Sequence, residues 1–135
     1  FRILSPTRGG RWGVTALNRL IERRLIDDGL VSIRDRWPHG RPILVTANDY
    51  DRGLFNGDQG IILWIDTDGR RSRAAVFPDL DGYRVHPLAT LEGRLDLAYA
   101  MTVHKAQGSE FDRVGIIMPA IIAITMKKYV LKKAI

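Results

Sequence analysis

Apolar and polar residues alternate along this chain with two different periods, one typical of a helix and one typical of short strands. Between Trp12 and Gly29, apolar residues recur every three or four positions, so Val14, Leu17 and Ile21 fall on one face of a helix. The sequence therefore predicts a helix from Trp12 to Gly29. Gly29 is a suitable end because glycine adopts the left-handed conformation that terminates many helices.

From about residue 38 to residue 92, the pattern changes to short apolar runs separated by turn residues. The predicted strands are Pro42–Ala47, Gly60–Asp66, Arg73–Phe77 and Tyr83–His86. The turn pairs are Asn56-Gly57, Asp68-Gly69 and Asp81-Gly82, all of which tolerate positive φ. Four or five short antiparallel strands in about 55 residues predict a small β-barrel.

The third part of the chain, about residues 93–119, contains two apolar runs, Leu95–Met101 and Val114–Met118. The first is predicted to be one buried strand, and the two runs with the polar connection between them are predicted to begin a parallel βαβ-like unit. Open α/β sheets bind their ligands at the carboxyl ends of the strands, which makes the polar cluster between the two runs the candidate site. Its residues of interest are Thr102, His104, Lys105, Gln107, Gly108 and Glu110.

The first half of this cluster is rich in hydrogen-bond donors. The hydroxyl of Thr102, the ring N–H of His104 and the ammonium of Lys105 can all donate to the phosphate oxygens of a DNA strand. The structural alternative is a capped helix start with solvated polar groups. His104 could also orient the strand end through a backbone hydrogen bond, without touching DNA.

The second half of the cluster combines a glycine with an amide and a carboxylate. Gly108 lacks a Cβ, so its backbone N–H can approach a phosphate closely, and Glu110 can accept hydrogen bonds from ribose hydroxyls. Gln107 could bridge two ligands, because one amide both donates and accepts. The alternative is an ordinary turn into a helix, with Ser109 as its cap.

Near the amino terminus, Ser5-Pro6-Thr7-Arg8 closes a short apolar strand and precedes the predicted helix. Arg8 could reach a γ-phosphate there, and the turn at Gly9-Gly10 could lie close to DNA. Sequence alone leaves open whether Arg8 or Arg11 faces a ligand, and either could be a solvated surface arginine. Asn18 is interpreted as a buried amide that fixes the helix against a loop.

The predicted barrel carries a glycine-flanked loop with Phe55 and Asn56, which could stack on a base or contact a strand backbone. Alternatively, Leu54 and Phe55 plug the end of the barrel. Trp37 and Trp64 are interpreted as packing residues. The arginines at positions 70, 71 and 73 are interpreted as a solvated turn.

Composition narrows the class of protein. A chain of 135 residues is long enough for one ordinary domain with a modest core. It has no cysteine, which excludes disulfides and thiolate metal sites, and no apolar run approaches the roughly 18 residues that span a bilayer. Neither is any secretory signal pattern recognisable, and we expect a cytoplasmic protein without membrane contact.

The net charge of +6 is concentrated at one end of the chain. Four of the 21 basic residues are lysines within residues 120–135, where no acid occurs, so residues 1–119 carry 17 basic against 15 acidic groups. Sixteen of those 17 are arginines and only Lys105 is a lysine. Residues 120–135 are therefore expected to be an atypical Lys/Ile-rich tail, foreign to the rest through cloning, a frame change or a divergent end.

Three stretches in order resemble the RecD family of superfamily 1 DNA helicases, RecD being the alpha chain of exodeoxyribonuclease V. They are Leu4-Ser5-Pro6-Thr7-Arg8-Gly9-Gly10, Gly53-Leu54-Phe55-Asn56-Gly57-Asp58-Gln59-Gly60, and Thr102-Val103-His104-Lys105-Ala106-Gln107-Gly108-Ser109-Glu110. The resemblance implies an α/β fold, part of a RecA-like parallel-sheet domain with an inserted small SH3-like β-barrel. It assigns residues 1–37 to the motif IV region, 38–92 to the barrel and 93–119 to the motif V region.

The resemblance also implies a function. The chain would be a carboxyl-side fragment of an ATP-dependent helicase that translocates on single-stranded DNA in double-strand break repair and recombination. ATP would contact Arg8, Gln107, Gly108 and Glu110, and DNA would contact Thr102, His104, Lys105, Phe55 and Asn56. The implied partners are single-stranded or duplex DNA and the beta and gamma subunits of exodeoxyribonuclease V.

Missing motifs limit what this chain does by itself. It contains no Gly-x-x-x-x-Gly-Lys-Ser/Thr loop and no strand-ending Asp-Glu pair for Mg²⁺, so we expect no ATP hydrolysis by the chain alone and no metal bound by its own residues. The arginine-finger helix expected after Pro119 is also absent. The competing interpretation is a standalone SH3-like module that binds nucleic acid or protein.

Overall fold

A computed structural model describes residues 1–32, 34 and 36–118, so the predicted tail at 120–135 lies outside the described residues. In chain order the elements are β1 (Arg2–Ser5), α1 (Val14–Asp27), β2 (Pro42–Val45), β3 (Gln59–Thr67), β4 (Arg70–Asp79), β5 (Gly82–Pro87), β6 (Leu95–Leu97), β7 (Ala100–Thr102) and β8 (Val114–Ile116). Single 3₁₀ turns lie at Tyr50–Arg52 and Leu88–Leu91.

The described residues form two compact units, residues 1–17 with 100–118, and Asn18–Tyr99. The first unit contains a parallel sheet of three strands in the order β7-β1-β8. The second contains an antiparallel sheet of five strands in the order β5-β4-β3-β2-β6. The mixed α/β class is therefore confirmed. The predicted domain bounds at residues 37/38 and 92/93 stay a prediction.

The predicted helix is confirmed as α1, two residues shorter than expected at each end. Its end follows from Gly29, which has a φ of +71°. The Gly29 N–H donates to the carbonyl of Ile26 (3.0 Å), and the Leu30 N–H donates back to the carbonyl of Leu25 (2.9 Å). These bonds satisfy carbonyls that a helix end leaves without partners.

Two buried polar side chains, Asn18 and Arg41, fix α1 to the antiparallel sheet and its flanks. Asn18 donates from Nδ2 to the carbonyl of Leu97 (3.0 Å), so the interpretation of Asn18 as a buried amide is confirmed, although its partner lies on β6. Arg41, also buried, pairs with Glu22. Burial lowers the pKa of Arg41, while a hydrogen bond to Tyr99 raises it.

All four predicted strands between residues 38 and 92 are confirmed as β2 to β5. The β3–β4 hairpin turns at Asp68-Gly69, whose φ values of 52° and 72° are both positive. Positive φ at both central residues matches the right-handed twist of the flanking strands, which explains why this pair ends β3 cleanly. No ladder between the end strands β5 and β6 is found in the described part of the chain, so a closed barrel stays a prediction.

The prediction of one continuous strand over Leu95–Met101 is wrong. The run contains two strands: β6 pairs antiparallel with β2, and β7 pairs parallel with β1. The chain leaves one sheet and enters the other at Ala98 and Tyr99. Hydrophobicity could not reveal the break, because both strands are largely apolar and Ala98 between them is fully buried.

The core of the second unit lies on one face of the antiparallel sheet. It comprises Ile43, Val45, Leu54, Ile62, Ala75, Phe77 and Leu91. Gly60 is the position where this core comes closest to the backbone, since a Cβ there would lie 2.7 Å from both Phe77 Cδ1 and the carbonyl oxygen of Val76. Only glycine lets the Phe77 ring pack against β3 at this distance.

We therefore expect Gly60→Ala to destabilise the 135-residue chain by about 1–3 kcal/mol through overpacking. The matched control is Gly9→Ala, because a Cβ at Gly9 meets nothing within 4 Å. Thermal unfolding followed by circular dichroism measures both. Equal melting temperatures for the two variants would contradict the close approach of Phe77 to β3.

Candidate functional site

The candidate site of the first unit lies at the carboxyl edge of the parallel sheet. β1 and β7 run in register, with Ser5 beside Thr102, and the N–H of Val103 donates to the carbonyl of Ser5 (3.1 Å). The segment after β1, which carries Arg8, and the segment after β7, which carries the polar cluster, therefore leave the sheet side by side. This is the edge where open α/β sheets bind ligands.

Ser5 organises the segment that follows β1. Its side chain is fully buried, its Oγ donates to the carbonyl of Trp12 (2.9 Å), and the same oxygen accepts from the N–H of Thr7 (3.4 Å). One hydroxyl thus joins both ends of the loop Pro6–Trp12. The sequence pattern gave no reason to single out Ser5, because the burial of one serine at a strand end is not visible in the sequence.

The loop also uses the first N–H groups of α1. The N–H of Val14 donates to the carbonyl of Thr7 (3.0 Å), and the N–H of Thr15 donates to the carbonyl of Arg8 (3.1 Å). These donors are not available to a phosphate, which a helix start otherwise attracts. The N–H groups of Val14 and Thr15 are therefore used within the loop, and the side chain of Arg8 is exposed.

Arg11 makes a contact within the loop. The guanidinium carbon of Arg11 lies 5.2 Å from the centre of the Trp12 ring, a cation–π contact. Arg11 is therefore partly engaged within its own loop.

The predicted DNA-facing residues lie on a series of tight turns after β7. The hydroxyl oxygen of Thr102 accepts from the N–H of Lys105 (3.2 Å), the carbonyl of Thr102 accepts from Ala106 (3.1 Å), and the carbonyl of His104 accepts from Gln107 (3.3 Å). Thr102 is thus a cap, as the structural alternative supposed. Its hydroxyl hydrogen stays available for donation, since a cap uses only the oxygen lone pair.

Gly108 ends these turns with a φ of +79°. A Cβ there would meet nothing within 4 Å, so glycine is favoured by the backbone conformation and not by crowding. His104, Gln107 and Glu110 are exposed, and Lys105 is half-buried. The cluster therefore presents donors and one carboxylate to solvent on a defined backbone.

Phe55 and Asn56 belong to the other compact unit, Asn18–Tyr99. The sequence left open whether Leu54 and Phe55 plug the barrel end, and the two residues differ in burial. Leu54 is fully buried in the core, whereas Phe55 is 49% exposed and meets the exposed Tyr50 edge to face at 6.1 Å. The N–H of Asn56 donates to Oδ1 of Asn48 (2.8 Å), which fixes the loop backbone beside Phe55.

Asp49 holds the loop that carries Tyr50 and Phe55. Its carboxylate is buried and pairs with Arg52 (2.8 Å) and Arg94 (3.0 Å), while its backbone exchanges hydrogen bonds with Leu54 (2.7 and 2.9 Å). Burial alone would raise the pKa of Asp49, but the hydrogen bond and charge of Arg52, with the charge of Arg94, bring the pKa below its ordinary value. No role was assigned to Asp49 or Tyr50 from the sequence.

The described residues offer no cluster of metal ligands and no membrane-crossing helix. No group of three or more His, Asp or Glu side chains is arranged to hold a metal ion among them. Within the same residues, no helix is long and apolar enough to cross a membrane.

Comparison with known proteins gives relatives of one kind. The chain is 39% identical over 119 residues to the RecBCD enzyme subunit RecD of Mycolicibacterium smegmatis, covering 88% of this chain and 20% of that protein. It is 34% identical over 116 residues to the ATP-dependent RecD2 DNA helicase of Deinococcus radiodurans, covering 84% of this chain and 15% of that protein. The chain thus spans about a fifth or less of the curated relatives' length.

No model of a known protein family matches the chain. Among solved structures, Pif1 helicase from Bacteroides in complex with ADP-AlF3 and ssDNA covers 87% of this chain and 34% of that one, with 18% identity and a TM-score of 0.43. A similarity at that level supports no inference. The sequence relatives, in contrast, confirm the resemblance drawn from the three motifs.

The capping role of Thr102 gives a first prediction. Thr102→Val removes the acceptor of the Lys105 N–H, whereas Thr102→Ser keeps it, so we expect the amide of Lys105 to exchange with solvent about 2- to 30-fold faster in the valine variant. Loss of such a cap typically costs about 0.5–2 kcal/mol. Amide hydrogen exchange measured by NMR tests this. Identical exchange in the two variants would show that the hydroxyl does not cap the turn.

The Asp49 pair gives a second prediction. Because the folded pKa is lowered, the ionised carboxylate stabilises the fold above its unfolded pKa of about 3.9, and this stabilisation is lost as pH falls through the folded value. The melting temperature of Asp49→Asn should therefore lie well below that of the unmodified chain at pH 6, and the gap should shrink below about pH 4. The control is Asp51→Asn, on an exposed neighbour. A gap independent of pH would contradict the ion pairs.

Proposed function

Since this chain is similar over most of its length to RecD-type helicases, we propose that it is part of an ATP-dependent DNA helicase of superfamily 1. The observation that carries the proposal is the register of β1 with β7, which aligns Ser5 with Thr102. Two segments with phosphate-binding side chains thereby leave one edge of a parallel sheet. The whole protein would translocate on single-stranded DNA in double-strand break repair and recombination.

In this proposal the parallel sheet is part of the second RecA-like domain of the helicase. The antiparallel sheet is the SH3-like barrel inserted into it between β1 and β7. The antiparallel order of strands β2 to β5 and their single shared core support this interpretation. The chain would be the carboxyl-side wall of a cleft whose other wall lies in the remainder of the protein.

Thr102, His104 and Lys105 are the proposed DNA contacts of this edge. A hydroxyl, an imidazole and an ammonium on consecutive tight turns can donate to successive phosphate oxygens. Such contacts hold the strand without reading its sequence, which suits a motor that moves along any DNA. Phe55 and Asn56 would add a stacking surface and a polar contact from the barrel loop.

Arg8, Gln107, Gly108 and Glu110 are the proposed nucleotide contacts. The residues present fit a nucleotide, because Arg8 is an exposed cation, Gly108 exposes its backbone and Glu110 is an exposed acceptor. Bound ATP would supply the energy for movement. Arg8 would donate to a phosphate, Glu110 would accept from the ribose hydroxyls and Gln107 would bridge the nucleotide and the DNA.

No group of three or more ligands suited to Mg²⁺ exists among the described residues. We therefore assign its carboxylates to another part of the whole protein and expect this chain alone to be inactive as an ATPase. The proposed partners are DNA and, in a three-subunit complex, the beta and gamma subunits of exodeoxyribonuclease V. We expect the protein in the cytoplasm, where bacterial chromosomal DNA lies.

The simplest test of the proposal is the sequence of the whole protein. The reading frame upstream of Phe1 should encode a Gly-x-x-x-x-Gly-Lys-Ser/Thr loop after a strand and an Asp-Glu pair at the end of a later strand. A complete upstream frame without both motifs would refute the helicase function.

Glu110 gives the mutational prediction. In the full-length protein, Glu110→Ala should lower ATP-dependent unwinding about tenfold or more while DNA binding is retained, because a ribose acceptor is lost and no DNA contact is touched. Glu110→Gln keeps a carbonyl acceptor and should restore part of the activity. Asp112→Ala, on a neighbouring exposed carboxylate, is the matched control. A strand-displacement assay measures all three, and unchanged unwinding by Glu110→Ala would refute the role of Glu110.

A further inference from the structure

The far end of β3 carries an exposed tryptophan that the sequence pattern assigned to packing. Trp64 is 41% exposed and lies near the Asp68-Gly69 turn, at the end of β3 opposite to the Phe55 loop. About 17 Å of strand separates Gln59 from Trp64, at 3.3–3.4 Å per residue. Trp64 is therefore not part of the Phe55 loop.

Two arginines of β4 lie against this one indole. The guanidinium carbon of Arg71 is 5.0 Å and that of Arg73 is 5.3 Å from the centre of the Trp64 ring. The register explains this placement, because Trp64 is directly opposite Arg73 and Arg71 is two residues along on the same face. Two like charges are thus held close together at a partly solvent-exposed position.

Hydrogen bonds to neighbouring residues fix the positions of Trp64 and Arg73. The backbone N–H of Trp64 donates to Nδ1 of His39 (3.1 Å), and Nη1 of Arg73 donates to the carbonyl of Trp37 (2.9 Å). Because Nδ1 of His39 accepts, the neutral ring carries its proton on Nε2, which adds a donor to an exposed side chain. The donors are held in place before any ligand arrives, which lowers the ordering cost of binding.

We propose that this Trp64 surface, formed by Trp64, Arg71, Arg73 and His39, binds the backbone of single-stranded nucleic acid. Guanidinium groups donate to phosphate oxygens in a fixed fork, and an indole stacks on any base. An acidic peptide would use the cations alone, whereas a base can also pack against the part of the indole that stays exposed beside the two guanidinium groups. The site goes beyond the proposed function, because it needs neither ATP nor the residues at the parallel-sheet edge.

The hairpin offers a matched pair of variants for the test. Arg71 pairs with Asp66, and its neighbour Arg70 pairs with Thr67, so the two side chains point to opposite faces of the sheet. Arg71→Gln and Arg70→Gln remove the same charge from adjacent exposed positions. Their binding to fluorescein-labelled dT15 is compared by fluorescence anisotropy at 50 and 200 mM NaCl, using the 135-residue chain.

We expect Arg71→Gln to weaken binding about fivefold or more and to reduce the slope of log K against log salt by about 0.7, the value for one phosphate contact on a single strand. Arg70→Gln should change the affinity less than twofold. Trp64→Leu should weaken binding about fivefold or more and Trp64→Phe much less, because phenylalanine keeps a stacking face. Melting temperatures of the variants confirm that each is folded.

Three results would overturn the proposal. Equal losses in the two arginine variants would indicate attraction to net charge alone. Displacement of dT15 by poly-glutamate at equal charge concentration would indicate a surface for acidic proteins. Absence of dT15 binding by the unmodified chain would also refute it. Lys105→Ala separates the two sites. If Lys105→Ala weakens dT15 binding and Arg71→Gln does not, only this proposal is overturned. If Arg71→Gln weakens binding and Lys105→Ala does not, only the proposed DNA contacts after β7 are contradicted.

Discussion

Parallel pairing of β1 with β7 is the constraint on which the candidate site depends. Residues 5 and 102 are far apart in the chain, yet the register places Ser5 beside Thr102 at one edge. Parallel strands cannot be joined by a tight turn, so the chain leaves the carboxyl edge after β1 and re-enters the sheet at the opposite edge, where β7 begins. The long connection starts with the Arg8 loop and carries the antiparallel sheet, whereas the polar cluster follows β7.

Buried polar groups position the exposed ones in both units. The fully buried hydroxyl of Ser5 joins the ends of the Arg8 loop, and the buried carboxylate of Asp49 holds the loop that exposes Phe55. A buried polar group must find partners, so such a group fixes the backbone around it. The exposed side chains then face solvent from a rigid base, which is what a binding surface requires.

Local chemistry predicted most of the elements, whereas tertiary context decided the rest. Helix periodicity and the turn pair Asp68-Gly69 located α1 and the β3–β4 hairpin, because both depend on neighbouring residues only. The Leu95–Met101 run was misread since two sheets share one apolar stretch. Trp64 lies outside the core, 41% exposed and with its ring against two arginines, which its residue type alone could not show. The roles of the polar cluster stay a prediction.

The central claim is that one sheet edge carries a DNA contact followed closely by a nucleotide contact. Hydrogen–deuterium exchange of the full-length protein tests it directly. Single-stranded DNA alone should slow exchange in residues 102–105, and a non-hydrolysable ATP analogue alone should slow exchange in residues 107–110. The same protection of both segments by either ligand would contradict the division of roles, and unchanged exchange with both ligands would contradict the site itself.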